Sequence, residues 1–334
     1  MAARRETTVP IAQAISCTQV TKLFGGLAAV SDLDLQVEPG TVLGYIGPNG
    51  AGKSTTIRML LGLSRPTRGQ VRVLGVDPAA DPTVRARIGY SPGEVRLDEG
   101  LTVSQTLDSW SRLRTGVDPK LRRDLVDRFA VKLDKPVRGL STGNRRKLCL
   151  VGAFMARPDL LILDEPTNGL DPLMQEVFVE VATEAKREGA TILLSSHIMS
   201  EVERIADSVA VLRDGRLVAE GPTAQMRHGA AQRFKVEFGD VRPSTADLAQ
   251  LGGATNVVAE GSTLVFDWSG PPTELLKVLA RYPVASLTAP EPDLERAFFA
   301  HYRGGDAASA EDHGTAGTLV SSDSTQDLPT PLLR

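Results

Sequence analysis

Val42-Leu43-Gly44-Tyr45-Ile46-Gly47-Pro48-Asn49-Gly50-Ala51-Gly52-Lys53-Ser54-Thr55 passes from an apolar strand pattern into a glycine-rich turn, then into a helical run over residues 56–61. The spacing is G-x-x-x-x-G-K-[ST], set in the strand, loop, helix order that gives the pattern its meaning. Gly47, Gly50 and Gly52 let the main chain approach an anion closely, so that successive N–H groups can point inward as a nest. The helix that follows adds its positive N-terminal end. Lys53 is spaced to reach the β- and γ-phosphates of a nucleotide, and the Ser54 hydroxyl to ligate Mg²⁺.

A second motif narrows the chemistry. Leu160-Leu161-Ile162-Leu163-Asp164-Glu165 is an apolar run ending in adjacent carboxylates. A buried strand would carry both acids to its C-terminal end, where α/β sheets bind ligands. Asp164 suits a Mg²⁺ shell, and Glu165 can orient and deprotonate an attacking water. Taken alone, such a pair is as readily a helix cap.

Working outward, 334 residues correspond to about two domains at roughly 150 residues each. Apolar residues make up 41% and charged residues 24%, ordinary values for a chain with a real core. The net charge of −3 offers no bulk attraction to nucleic acid. The two cysteines, Cys17 and Cys149, make neither a disulfide framework nor a zinc site. No run approaches the ~18 apolar residues of a membrane span, and the N-terminus, with Arg4 and Arg5 but no apolar stretch after them, is not a signal peptide. The chain is expected to be soluble and intracellular, with any membrane span supplied by another protein.

The first 220 residues alternate strand and helix patterns, as an α/β domain with a largely parallel sheet does. Strands are expected at residues 42–46, 88–91, 160–164, 191–196 and 209–212, with a long Arg- and Leu-rich helical insertion at about 102–157. Asp118-Pro119, Ser141-Thr142 and Asp171-Pro172 read as helix starts. After Gly221-Pro222 a smaller α+β module is expected, with strands at 233–238, 264–268 and 285–288 and helices at 246–251, 272–281 and 294–301. From Gly304 the chain is Ser, Thr, Gly, Ala and acid without periodicity, the composition of a disordered tail. The expected divisions are 14–222, with a helical subdomain at about 95–157, then 223–303 and 304–334.

With these motifs in place the sequence resembles an ATP-binding cassette (ABC) ATPase. Pro166-Thr167-Asn168-Gly169-Leu170-Asp171-Pro172 is similar to that family's D-loop segment, Leu140-Ser141-Thr142-Gly143-Asn144 to its signature, and Ser195-Ser196-His197 to its switch histidine. Phe24, in Lys22-Leu23-Phe24-Gly25-Gly26, stands where the family places an aromatic against adenine. The resemblance covers about residues 14–220. It implies a P-loop NTPase fold, with two cassettes pairing head to tail and each ATP, with Mg²⁺, held between one copy's 47–55 loop and the other's Ser141 and Gly143. It further implies Glu165 as general base, His197 at the γ-phosphate and Asp171 communicating across the dimer. Phe24 on its own is as readily a core residue. Arg145-Arg146-Lys147 reads as a solvated helix face, not a nucleic-acid patch.

The sequence departs from the family at two places. Thr142 and Asn144 replace the usual Gly and Gln of the signature. In Ile88-Gly89-Tyr90-Ser91-Pro92-Gly93-Glu94, which aligns with the Q-loop, Gly93 stands where Gln is usual. Glu94 is the nearest substitute metal ligand, the alternative being that it merely faces solvent in a loop; if it joins the metal shell, Glu94→Ala is expected to weaken Mg²⁺ dependence and uncouple transport, and Gly93→Gln to restore part of it. The Q-loop variant and the module ending in Glu291-Pro292-Asp293-Leu294-Glu295-Arg296-Ala297-Phe298 are similar to cassettes of bacterial exporters, including drug-resistance types. That implies a place at the cytoplasmic face of the membrane, docked on an integral-membrane permease through the insertion near residues 94–102, and two nucleotide half-sites that both look competent favour a homodimer. Import, a non-transport ATPase acting on nucleic acid or the ribosome, and an ATP-binding regulator without turnover are the alternatives.

Overall fold

A computed structural model describes residues 12–114, 116–228 and 232–289. Thirteen strands and nine α-helices are formed among the described residues.

The chain opens with a hairpin, β1 (Ile15–Phe24) and β2 (Leu27–Val37), turned by Gly25 and Gly26, both with positive φ. β2 alternates strictly near its end: Leu33, Leu35 and Val37 are buried while Asp34 and Gln36 face out. β3 (Val42–Ile46) is buried along its whole length and runs into the 47–52 loop and α1 (Lys53–Leu60). β4 (Arg68–Val73) pairs antiparallel with β1, completing a three-stranded sheet in the order β2-β1-β4.

The main sheet follows from apolar runs too continuous for a surface strand, which need cover on both faces. β5 (Ile88–Ser91) precedes three helices, α2 (Val103–Arg112), α3 (Pro119–Arg128) and α4 (Thr142–Phe154). Then come β6 (Leu160–Asp164), α5 (Pro172–Arg187), β7 (Thr191–Ser196), α6 (Met199–Glu203), β8 (Ser208–Arg213) and β9 (Arg216–Pro222). The sheet order is β5-β6-β7-β3-β8-β9, parallel throughout except for β9 at one edge. β3 and β6 both flank β7, with Ile46 opposite Ser196 and Asp164 opposite Ser195. This register sets the phosphate-loop pattern, the acid pair and the switch histidine side by side at the C-terminal ends of neighbouring central strands. One core cluster joins the two sheets around α1, from Ile15, Leu33 and Leu35 to Leu60, Ile162 and Leu193.

All five strands expected in this region form, and the three helix starts are caps: Asp118, Ser141 and Asp171 each accept a backbone N–H through the side chain. α2 has a full capping box between Thr102 and Gln105. α2 and α4 pack so closely that a Cβ on Gly152 would lie 2.5 Å from the Trp110 ring. Cys17 and Cys149 are buried free thiols, and burial pushes them up to about 12 and about 11.

After α7 (Thr223–His228), β10 (Gln232–Phe238), α8 (Thr245–Ala249), β11 (Ala254–Glu260), β12 (Thr263–Trp268), α9 (Pro272–Leu279) and β13 (Val284–Thr288) form a four-stranded antiparallel sheet in the order β11-β12-β10-β13. It has its own core, with Phe234 stacked on Phe266 at 5.7 Å and Trp268, Leu275 and Leu279 around them. The expected helix at 294–301, the 291–298 segment and the tail from 304 lie outside the described residues. No helix among the described residues is long and apolar enough to cross a membrane.

Leu193 lies in a central strand and is fully buried, whereas Leu113 is 79% exposed. Leu193→Ala is expected to cost about 2–5 kcal/mol in chemical denaturation, and Leu113→Ala less than about 0.5 kcal/mol.

Candidate functional site

At the C-terminal ends of β3 and β6 lies an open cleft of about 760 Å³, lined by Pro48 to Thr55, by Tyr90, Pro92, Gly93 and Glu94, and by Asp164 and Glu165. Gly52 adopts φ 105°, and an added Cβ would meet the Ala29 carbonyl oxygen at 2.4 Å, so only glycine fits where the loop enters α1. Gly47 is held as tightly, with the Leu212 carbonyl oxygen 2.4 Å from where a Cβ would be.

Lys53 is 6% exposed. Its Nζ donates to the Gly47 carbonyl at 2.6 Å and the Pro48 carbonyl at 3.3 Å, and lies 3.5 Å from Glu165 Oε1. The ammonium is thus held inside the loop, where an incoming phosphate can meet it. Ser54 donates through Oγ to Asp164 Oδ2 at 3.3 Å. On the far side of the same carboxylate, the buried Ser195 hydroxyl donates to Oδ1 at 2.5 Å and accepts from the Glu165 amide at 3.2 Å. Glu165 has a left-handed backbone, φ 49°, a conformation costly for a side-chain-bearing residue and concentrated at functional sites. Its Oε2 lies 2.7 Å from His197 Nδ1. The carboxylate is therefore held between Lys53 and His197, aimed into the cleft.

Ser54 and Asp164 present hard oxygens in a cleft otherwise open to water, a donor set that fits Mg²⁺ with phosphate and water completing its shell. Among the described residues no cluster of three or more His, Cys, Asp or Glu could hold a metal without such help.

Other expected residues stand apart from this cleft. Ser141 caps α4 by accepting from the Asn144 amide at 3.3 Å, with its side chain exposed. Gly143 packs on the 166–172 segment so tightly that a Cβ would lie 2.5 Å from the Gly169 carbonyl oxygen. Asp171 caps α5, accepting from the Met174 amide at 3.0 Å. Phe24 is 52% exposed, with the Lys22 ammonium 5.0 Å from its ring centroid, so it is not a core residue. None of these four lines the 47–55 cleft.

Two expectations change. Glu94 lines the cleft, but its carboxylate meets Arg96 at 2.9 Å rather than the Ser54–Asp164 pair, and both side chains are mostly exposed. Nor is Arg145-Arg146-Lys147 a solvated face as a whole. Arg145 pairs with Glu99, and Arg146 is only 2% exposed, because its guanidinium turns inward beneath residues 92–93. Ser195 was not singled out in the sequence. Its position two residues before His197, on the strand flanking the acid pair, was the available signal.

The fold and this site define a nucleotide-binding P-loop ATPase cassette. The ABC transporter family model matches residues 30–168. The daunorubicin/doxorubicin resistance ATP-binding protein DrrA of Streptomyces peucetius is 39% identical over 221 residues, covering 64% of this chain and 67% of that protein. The Nod factor export ATP-binding protein I of Cupriavidus metallidurans is 37% identical over 268 residues, covering 78% of this chain and 88% of its own length. A solved structure of the ATP-binding subunit of an ABC transporter, 33% identical, superposes with a TM-score of 0.60 over 64% of this chain and 92% of that one. The chain belongs to the ABC transporter family, as an ATP-binding subunit whose cassette hydrolyses ATP.

Gly93 bears directly on the metal end. A Cβ there would lie 2.9 Å from Asp164 Oδ2 and 3.1 Å from its Cγ. Against the sequence expectation of a partial restoration, Gly93→Gln is therefore expected to lower ATPase activity, with Gly93→Ala between it and the wild type. An activity gain in Gly93→Gln would show that the turn moves freely away from Asp164.

Proposed function

We propose that this chain powers export: it binds Mg²⁺·ATP between two copies of itself and drives a separate integral-membrane permease on which it docks peripherally at the cytoplasmic face. The observation carrying the chemistry is the convergence of Lys53, the Ser54–Asp164 pair and the Glu165–His197 pair in one cleft. The export direction is supported by the relatives' names, drug resistance for one and Nod factor export for another. Residues 14–222 are the cassette, 95–157 its helical subdomain and 223–303 the accessory module.

The loop amides of residues 47–55 and the N-terminal end of α1 bind the phosphates, and Lys53 neutralises charge at the β,γ-bridge. Ser54 and Asp164 would hold Mg²⁺, which would supply charge neutralisation to the phosphates. Glu165 accepts a proton from water as the oxygen attacks the γ-phosphorus and the bond to the bridging oxygen breaks, releasing ADP and phosphate. His197 fixes the Glu165 carboxylate through Nδ1. The exposed start of α4, with Ser141 and Gly143, faces the partner copy's γ-phosphate, Asp171 lies across the dimer seam, and Phe24 stacks on adenine.

Three measurements test this reading. Glu165→Gln is expected to keep ATP binding and lose roughly 10²–10⁴ in turnover; near wild-type hydrolysis would remove Glu165 as the base. Lys53→Ala is expected to fail earlier, at binding, and unchanged ATP affinity would take Lys53 out of the site. Purifying the chain from detergent-solubilised membranes is expected to bring an integral-membrane permease with it, and release of the chain alone would contradict the docking.

A further inference from the structure

Arg146 sits in the second turn of α4, on the helix whose exposed start is Ser141, yet it is almost completely buried. Its guanidinium spans two consecutive carbonyls: Nη1 donates to the Pro92 oxygen and Nη2 to the Gly93 oxygen at 2.5 Å. Nε is buried with no hydrogen-bond partner. Burial lowers its pKa, and the charges that oppose this include Asp164 and Glu165, neither of them in ion-pair contact with it. A guanidinium is costly to bury without a carboxylate partner. Here it is spent on two backbone oxygens of a single turn.

That turn carries Gly93, whose backbone lies against the Asp164 carboxylate, and Asp164 in turn accepts from Ser54 and Ser195. With no side chain at 93, and with Glu94 engaged by Arg96, residues 92–94 send no side chain of their own to Asp164. The Gly93 position faces the Asp164 carboxylate closely enough that an added Cβ would lie 2.9 Å from Oδ2, and Arg146 holds the carbonyls of this turn. We propose that Arg146 is a positioning residue for the metal end of the nucleotide site, fixing the 92–93 turn against Asp164 in place of the side chain that Gly93 lacks. The proposal rests on the Mg²⁺·ATP reading above. Arg146 stands on α4, so its bidentate contact ties the helix that presents Ser141 to the turn beside Asp164.

The test uses equilibrium binding of AMP-PNP to the full-length protein, with EDTA and with saturating Mg²⁺, so no turnover is required. In Arg146→Met, affinity in EDTA is expected to stay within about twofold of wild type while the gain on adding Mg²⁺ falls about tenfold, the scale at which partners of metal ligands act. Arg146→Lys is expected to behave like Arg146→Met, because a single ammonium does not span two carbonyls in a fixed fork. Arg145→Met, one residue away and paired with Glu99, is expected to keep the full gain. If the Mg²⁺ gain is unchanged in folded Arg146→Lys, or if EDTA affinity falls in step with melting temperature in both variants, Arg146 is only a structural pin and the proposal fails. If wild type itself shows no Mg²⁺ gain, it is the Mg²⁺·ATP reading that fails.

Discussion

A buried ammonium organises this protein. Lys53 is withdrawn from water, and its compensation comes from the Gly47 and Pro48 carbonyls and from Glu165 across the cleft. A lone cation in such a place is unfavourable unless it is paired and hydrogen-bonded. The loop must therefore curl back on itself, which needs Gly47 and Gly52 where a Cβ would strike backbone oxygen. The acid strand must also end beside the loop. The order β6-β7-β3 meets that demand, with β7 between the two and Ser195 bonded to both the Asp164 side chain and the Glu165 main chain.

The same arrangement explains why the functional groups fall into two sets. The 47–55 loop, Asp164, Glu165 and His197 all sit at the ends of neighbouring parallel strands. Ser141 and Gly143 belong to the helical insertion, where Gly143 packs on Gly169 of the 166–172 segment, and neither lines the cleft of their own chain. Under the proposed function, Ser141 and Gly143 complete the nucleotide site of a second copy. Arg146 then connects the two sets inside one chain, from the signature helix to the turn beside Asp164.

Much of this was legible in the sequence, for physical reasons that differ by element. Strands β3, β6 and β7 are fully buried, so their apolar runs stand out, and Asp118, Ser141 and Asp171 cap helices in the positions their residue types favour. The hairpin β1–β2 and strands β4 and β11 were not singled out. β1 carries register shifts against both of its neighbours, which break its alternation, and β11 is mostly exposed, so its apolar pattern is thin. At the site, the loop and the acid pair are contiguous motifs. The roles of Ser195, Arg146 and Glu94 depend instead on which neighbour lies nearest across the fold. Arg146 reads as one charge in a basic run until α4 is docked on β5, and Glu94 reads as a free carboxylate until Arg96 is placed beside it.

The central claim is that hydrolysis occurs in a site shared by two copies of this chain. The most direct measurement is specific ATPase activity against chain concentration, with sedimentation velocity at saturating AMP-PNP and Mg²⁺ over the same range. The account predicts that activity per chain rises with concentration and levels off as the dimer population saturates. Constant activity per chain down to concentrations where only monomer sediments would contradict it, and would mean that the 47–55 loop, Glu165 and His197 of a single copy suffice.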